Sequence, residues 1–172
     1  MANSLTGKVT TSVLSTHTLD GDLTDAVDKL NSYKISETTI NNGTGAQKAQ
    51  VHWHDEFTLT SSANVTLDLA ALVRNIGGTI TFTKVKYFAL KLVTATTGYK
   101  ASVEAGASNG FEKLFANTSD IAYIGADGIF HVEAWTDGMV VDSTHKTLKI
   151  TSVAGAATMT LRIIIIGEGS VA

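Results

Sequence analysis

The residues best suited to chemistry lie in one short segment that reads VHWHDEF. In a β-strand, successive side chains point to opposite faces, so His52, His54 and Glu56 would share one face. Two imidazoles and a carboxylate on one face are ligands that suit zinc or iron. His131 and Glu133 repeat the same spacing and would complete such a site if the two strands were neighbours. A metal site is therefore one interpretation of these residues.

The competing interpretation treats the same strand as structural. It places the two histidines and the glutamate on a solvent face and Trp53 in the core, because tryptophan buries a large apolar area. Cupins also carry histidines on jelly-roll strands, but their His-x-His pair precedes a glutamate several residues later within a glycine-framed motif. Here Glu56 follows too soon and that frame is absent. We predict no metal and no cofactor, and keep a cupin-like metal site on His52, His54 and His131 as an alternative.

Other catalytic arrangements are missing from the sequence. It contains no Gly-x-Ser-x-Gly elbow, no phosphate-binding Gly-x-x-x-x-Gly-Lys loop and no Gly-x-Gly-x-x-Gly helix start. Ser108 lies between two glycines without a helical pattern after it, so a turn is predicted there. Asp55 and Glu56 would face opposite ways, which makes them a poor acid–base pair. The chain has no cysteine, which excludes thiol nucleophiles, disulfides and thiolate metal sites. We predict no catalytic residues and no enzymatic activity.

Aromatic side chains offer a second kind of site, since sandwich lectin modules stack sugars on exposed rings. Trp135 precedes the turn Thr136-Asp137-Gly138, which predicts a position near a loop end of the sandwich. Tyr87, Tyr99 and Tyr123 are further candidates. Aromatic residues make up only 7% of the chain, and most of them are needed in the core. Glycan binding is therefore kept as an alternative function.

The composition limits the classes of partner. The 172-residue chain has a net charge of −3, and 17% of its residues are charged. Such a chain lacks the basic stripe that nucleic-acid binding needs. The opening MANSLTGK has no apolar core of a secretory signal, and the apolar run Ile163–Ile166 is too short to span a bilayer. We expect cytoplasmic synthesis, and neither nucleic acid nor a membrane as partner. The low charge suits either a protein packed against neighbours or a sandwich with threonine-rich faces.

Short alternating runs are the elements that must position these residues. Apolar residues recur at every second position in 65–69, 79–83, 147–151 and 159–165, which is typical of half-buried strands. Glycine-containing dipeptides mark the turns between the runs: Asp20-Gly21, Asn42-Gly43, Gly77-Gly78, Asn109-Gly110, Asp127-Gly128 and Asp137-Gly138. Many short strands separated by such turns predict an all-β, antiparallel sandwich or barrel.

Two runs are apolar at almost every position. Phe88–Val93 is interrupted only by Lys91, and Leu161–Ile166 only by Arg162. We predict that both are central strands, buried on both faces by a second sheet or by another subunit. An exposed strand edge at Ile163–Ile166 would promote aggregation, so we expect this run to be paired on both edges.

The N-terminal part follows a different pattern. Between residues 22 and 31, Leu23, Ala26, Val27 and Leu30 have helical spacing, and we predict at most one short helix there. Residues 1–20 are predicted to form an arm or an edge strand. Residues 21–172 are predicted to form a single β-sandwich domain.

A series of short motifs runs through nearly the whole chain. In order they are LTGKVTTSVLS from Leu5, GDLTDA from Gly21, DKLN from Asp28, NGTGA from Asn42, Trp53 with Asp55 and Thr58-Leu59, FTKVK from Phe82, GASNGF from Gly106, and an apolar strand ending at Gly167. Together they resemble small virion structural proteins encoded by tailed bacteriophages and prophages. His52 and His54 do not belong to this pattern, which further favours the structural interpretation of their strand.

The resemblance implies a virion component with a jelly-roll-like antiparallel sandwich. Its role would be that of a capsid cement or decoration protein, or of a tail or fibre component that meets the host. The chain lacks a fibre-like repeat and a coiled-coil heptad, which favours the capsid role. We expect a homo-oligomer that contacts the major capsid protein or other virion proteins through strand edges and the N-terminal arm. Lys8, Val9, Thr10 and Trp135 are assigned to that interface.

Overall fold

The computed structural model describes residues 4–19, 26–94, 98–153 and 158–172, and within 13–33 it describes the backbone alone. Regular structure in these ranges is extended, apart from one turn of 3-10 helix at Glu112–Leu114. No described helix has the length and apolar character needed to cross a membrane. The strands, β1 to β13 in chain order, are Gly7–Leu19, Ala26–Asn42, Lys48–Ala49, Val51–Leu59, Asn64–Asp68, Leu72–Val73, Thr79–Leu92, Lys100–Ala105, Ile121–Gly125, Ile129–Glu133, Met139–Val140, Thr147–Ser152 and Met159–Val171.

Eight of these strands form two packed antiparallel sheets. One has the order β10-β7-β13-β4, with β6 and β11 also pairing with β7, and the other has the order β5-β12-β8-β9. Numbered one to eight in chain order, the strands run 6-3-8-1 in the first sheet and 2-7-4-5 in the second. This is the two-Greek-key arrangement of a jelly roll. The predicted all-β antiparallel sandwich is confirmed.

The core lies between the inner faces of the two sheets. The alternating runs predicted from the sequence supply it, because every second residue of each strand points inward. Inward residues that are almost fully buried include Ile80, Phe82, Phe88, Leu90, Leu148, Ile150, Leu161, Ile163 and Ile165. Burial of each such side chain contributes about 1.5–3 kcal/mol before the entropic cost of ordering the chain. Burial of these side chains therefore holds the two sheets together.

The two apolar runs are central, as predicted, but only one face of each is buried in this chain. Ile163–Ile166 pairs with β4 on one edge and β7 on the other, which confirms the predicted double pairing. Burial on both faces is wrong for the single chain, since Ile164 is 45% exposed on the outer face. The second sheet covers only the inner face of β13. The outer face is covered only where other segments of the chain lie on it.

The N-terminal region forms a long two-stranded hairpin. Strand β1 pairs antiparallel with β2 from Gly7–Ile40 to Leu19–Ala26, and β3 adds a short parallel pairing to the end of β2. The helix allowed by the spacing at 22–31 is not formed where it is described: residues 26–31 belong to β2, and 22–25 lie outside the described residues. Pairing with β1 outweighs a helical propensity that is weak in itself.

One irregularity in β7 turns a lysine into the protein. Ile166 pairs with Tyr87 and Gly167 pairs with Val85, so Lys86 is skipped in the ladder with β13. Such a bulge re-aims the side chain of the extra residue, and Lys86 is fully buried. Gly167 permits the close approach of the two strands, because a Cβ there would collide with the carbonyl oxygen of Lys84.

Candidate functional site

Strand β4 adopts the arrangement of the structural interpretation, with a solvent face and a core face. His52, His54 and Glu56 are exposed on the outer face of the sheet, while Trp53 is 5% exposed and packs in the core. The indole Nε1–H of Trp53 donates a hydrogen bond to the carbonyl oxygen of Val73 at 2.8 Å. The bond satisfies the indole N–H of Trp53 and fixes the position of the 72–78 segment beside strand β4.

The three candidate metal-binding histidines are not brought together. His54, Ile164, Ala89 and His131 are paired across four adjacent strands, so the Cα atoms of His54 and His131 lie three strand spacings, roughly 14 Å, apart. No group of three possible metal-ligating side chains occurs among the described residues. The rings of His52 and His54 do stack, with centroids 5.9 Å apart. Burial, followed by the charges of His54 and Arg74, lowers the pKa of His52.

Trp135 is buried, so the expectation of an exposed ring for sugar stacking is wrong. Only 9% of the residue is exposed, and its ring stacks on Tyr87 with centroids 6.0 Å apart. Its Nε1–H donates to Oε2 of Glu133 at 3.2 Å. Burial, followed by the charge of Glu133, raises the pKa of Tyr87. Trp135 lies near an end of the sandwich, but the chain itself covers it.

The base of the β1–β2 hairpin provides that cover. Leu5 and Val9 pack with Ile40 against Trp135 and its neighbours on the sheet. Further along, Oε1 of Glu133 accepts hydrogen bonds from the hydroxyls of Ser36 at 3.0 Å and Thr11 at 3.5 Å. The hairpin therefore crosses the outer face of the larger sheet and is anchored on its edge strand, β10.

The other residues assigned to the interface lie on this hairpin base. Val9 is half-buried against the Trp135 cluster, whereas Lys8 and Thr10 are exposed. Nζ of Lys8 lies 2.8 Å from Glu37 on the paired strand, and Lys34 contacts the same carboxylate at 2.6 Å. Hydrogen bonds from Lys34 and then Lys8 hold the pKa of Glu37 at about 2. These contacts are internal to the hairpin, and a role of Lys8, Val9, Thr10 and Trp135 between subunits stays a prediction.

A buried ion pair connects the end of the hairpin to the sandwich. Nζ of Lys86 lies 3.1 Å from Oε1 of Glu168 and donates to the carbonyl oxygen of Gly45 at 2.8 Å. The same Glu168 oxygen accepts the N–H of Gly45 at 2.9 Å. Burial by itself would raise the pKa of Glu168, but the Gly45 N–H and Lys86 together lower it. The N–H and the carbonyl oxygen of Gly45 thus each form a hydrogen bond with one member of this ion pair.

Two rows of residues divide the outer face of the larger sheet. The row nearest the hairpin base is His52, Ile166, Tyr87 and Glu133, one residue from each of four paired strands. The next row along, here named the outer stripe, is His54, Ile164, Ala89 and His131. Exposed apolar side chains border it at both ends, with Ile76 82% exposed and Ile129 61% exposed. Exposed apolar side chains grouped on one face of a sheet are typical of a protein contact surface.

The outer face of the smaller sheet is mainly polar. Asn64, Thr151, Ser102 and Tyr123 form one cross-strand row, and Tyr123 at the edge is 62% exposed. Of the four aromatic candidates for sugar stacking, Tyr123 therefore presents a free ring. Ser108, in the glycine-flanked turn, accepts a hydrogen bond from Thr147 through its carbonyl oxygen.

A third polar cluster lies at the loops near the 3-10 helix. The ring of His145 lies between Asp142, 3.0 Å from Nδ1, and Glu112, 3.2 Å from Nε2. A hydrogen bond from His145, followed by those from Thr144, holds the pKa of Asp142 well below its usual range. Asp142 also accepts the backbone N–H groups of Thr144 and His145. The cluster closes the 142–145 turn and fastens it to the helix.

Sequence reasoning missed the residues that anchor the hairpin. Lys86 and Glu168 occur where alternation predicts ordinary strand positions, and only the bulge turns Lys86 inward. The spacing of Glu133 with His131 predicts a metal role, yet its carboxylate accepts the hydrogen bond that joins the hairpin to β10. These contacts span up to 123 residues of sequence, so no local pattern signals them.

Comparison with known proteins gives only distant structural similarity. The sequence matches no protein-family profile and no curated protein. Its structure is similar to the Schizosaccharomyces pombe Cnp3 cupin domain, with a TM-score of 0.34 and 8% identity over 96% of this chain and 84% of that one. It is similar to a chain from Bacillus endospore appendages, described as disulfide-linked pili (TM-score 0.33, 14% identity, covering 68% and 88%). A chain of Desmodium yellow mottle tymovirus gives a TM-score of 0.30 at 13% identity, covering 68% and 86%.

Proposed function

We propose that this chain is a non-enzymatic structural protein of a bacteriophage virion, and that it stabilises the capsid as a cement or decoration protein. In this role it forms homo-oligomers and contacts the major capsid protein or other virion proteins. The observation that carries the proposal is the β1–β2 hairpin. Its base is anchored on the sandwich, and its strands continue well past that anchor.

The length of the hairpin supports an assembly role. Beyond the pair Thr11–Ser36 at the Glu133 anchor, seven further pairs continue to Leu19–Ala26. Eight residues of strand span about 26 Å. A two-stranded hairpin is marginally stable alone in water and needs a surface to pack on. A second protein surface would supply that packing, as expected for an arm that joins subunits.

The surface composition agrees with this proposal. The outer stripe of the larger sheet presents Ile164 and Ala89 between two histidines, and two ion pairs of this sheet, Arg162 with Glu56 and Lys91 with Asp127, are exposed single pairs. Such pairs contribute little to stability and are easily rearranged at an interface. The ordered motifs that resemble phage virion proteins support a virion over another assembly, and the lack of a fibre-like repeat or a coiled-coil heptad favours the capsid over the tail.

Particle stability tests the cement role. Virions made without this gene are expected to release their DNA at a lower temperature than wild-type virions, and added purified protein should restore the difference. A variant in which the hairpin base is weakened, Trp135→Ala, should restore it less well than Tyr123→Ala, because Tyr123 is exposed on the other sheet. Gene-deleted particles that match wild type in heat stability would contradict a cement function.

A glycan-binding module of a tail or fibre is the second candidate. The observation in its favour is Tyr123, which is 62% exposed at the edge of the smaller sheet. Stacking of a sugar on this ring would be abolished by Tyr123→Ala and largely kept in Tyr123→Phe. A glycan array compares the two variants with wild type. Binding that is absent, or equal in all three proteins, removes this candidate.

A further inference from the structure

We infer that a cleft beside strand β4 binds a carboxylate that carries a short apolar chain, with the guanidinium of Arg74 and the imidazole of His52 as the binding groups. We name it the carboxylate cleft. Side chains of β4 form one wall and the turn at 74–78 forms the other. The inference goes beyond the proposed function, because it concerns a ligand site on the sandwich itself and holds for any role of the chain.

The guanidinium of Arg74 is the first feature that points to an anion. Of the two arginines in the sequence, Arg162 pairs with Glu56. Arg74 is half-buried, and its side chain forms no hydrogen bond and no salt bridge with any residue that the structure describes. A guanidinium carries five N–H donors in a planar fork that matches the two oxygens of a carboxylate. Arg74 therefore has donors to offer a ligand.

The backbone around Arg74 is held in place. Its N–H donates to the carbonyl oxygen of Gly78 at 3.0 Å, and its carbonyl oxygen accepts the N–H of Gly77 at 3.1 Å. The carbonyl oxygen of Val73, just before it, accepts the indole N–H of Trp53 at 2.8 Å. These bonds limit the freedom that the segment would lose when a ligand binds, so less of the binding free energy is spent on ordering it.

Positive charge is concentrated in the carboxylate cleft. Burial, followed by the charges of His54 and Arg74, lowers the pKa of His52. An acidic group beside His52 would shift that pKa in the opposite direction, because it favours the charged imidazole. Asp55, on the same strand, accepts the N–H of the next residue at 2.8 Å and the side-chain amide of Asn75 at 3.4 Å. A carboxylate from outside would supply the missing counter-charge.

The size and lining of the carboxylate cleft select the ligand. Two adjoining hollows of about 70 and 140 Å³ share His52 and Arg74. Sites for cofactors and larger ligands have several hundred Å³, so a small group fits here. Apolar side chains line both hollows: Trp53 and Ile76 in one, and Val51, Ile80 and Val171 in the other. Apolar walls favour a carboxylate on an apolar chain over free phosphate, which loses its hydration there. An acidic side chain or the carboxyl end of a peptide has this form.

Propionate is the probe, because it is a small carboxylate with an apolar chain. Isotope-labelled protein is titrated with sodium propionate, sodium phosphate or sodium chloride at equal ionic strength and followed by NMR. Propionate should shift the indole N–H resonance of Trp53 and leave that of Trp135, which the hairpin base covers, in place. It should also raise the pKa of His52, since a bound anion favours the imidazolium. No shift with propionate, or equal shifts with phosphate or chloride, would overturn the inference.

The two arginines provide matched variants. Arg74→Met is expected to weaken propionate binding about tenfold, because it removes charge-assisted hydrogen bonds. Arg162→Met, on the same sheet, should bind propionate like wild type. Arg74→Lys keeps the charge but loses the planar fork, so it should bind severalfold more weakly than wild type, and it serves as the test if Arg74→Met does not fold. Equal binding by the Arg74 and Arg162 variants would overturn the inference.

Discussion

At the scale of single residues, the most consequential group is the ion pair between Lys86 and Glu168. Lys86 is fully buried and Glu168 is 6% exposed. Removal of two charges from water is expensive, so such a pair is tolerated only when its remaining hydrogen-bonding groups are satisfied. Here Gly45 supplies both an N–H and a carbonyl oxygen. The pair therefore serves to position the loop between the hairpin and the sandwich.

Lys86→Met should destabilise the protein by about 3 kcal/mol, because it leaves the buried carboxylate of Glu168 with only Lys84, 4.0 Å away, as a counter-ion. Chemical denaturation of wild type and variant measures the loss. The double variant Lys86→Met with Glu168→Gln is the control, and it should recover part of the stability because no buried charge remains. A single variant that unfolds like wild type would show that the pair is not buried as described.

Glu37 gives the hairpin base a defined response to acid. Its pKa is held at about 2 by Lys34 and Lys8, below the value of an unpaired glutamate. A lowered pKa means that the ion pairs contribute stability above the unfolded pKa and lose it as the pH falls through about 2. NMR titration should show the Glu37 carboxyl charged at pH 4, whereas in Lys34→Met its midpoint should rise. A midpoint that is the same in both proteins would contradict the assigned pairing.

At the scale of elements, the sequence predicted the individual strands, which depend on local patterns, and did not predict how distant strands pair. The alternation at 147–151 and 159–165 identified strands because side-chain direction repeats every two residues. The order of strands in each sheet, the bulge at Lys86 and the pairing of 26–31 with β1 depend on distant partners. Trp135 illustrates the limit, since its neighbouring turn was recognised while the hairpin that buries it was not.

The hairpin base is predicted to depend on Trp135. Trp135→Ala removes the ring on which Tyr87 and Val9 pack, and loss of a buried tryptophan typically costs about 3–5 kcal/mol. Amide hydrogen exchange should then speed up at 7–11 and 36–40, while the central residues 161–165 stay protected. Tyr123→Ala is the matched control on an exposed ring. Equal loss of protection in the hairpin and the central strands would argue against a separately anchored arm.

At the scale of the whole molecule, a jelly-roll sandwich carries an anchored arm on one edge of its larger sheet and an exposed row on the same face. The sandwich was predictable from alternation and turns. The assignment to a virion draws on the ordered motifs, because jelly rolls host many unrelated functions and a fold alone does not name one. The hairpin and the outer stripe are the surfaces at which mutations can test the proposed virion role.

The most direct measurement is the number of copies of this protein in purified virions, determined by quantitative mass spectrometry against the major capsid protein. The account predicts that the protein is present in particles, in a constant ratio to the capsid protein, and that it stays with heads when heads and tails are separated. Its absence from purified particles would contradict the central claim.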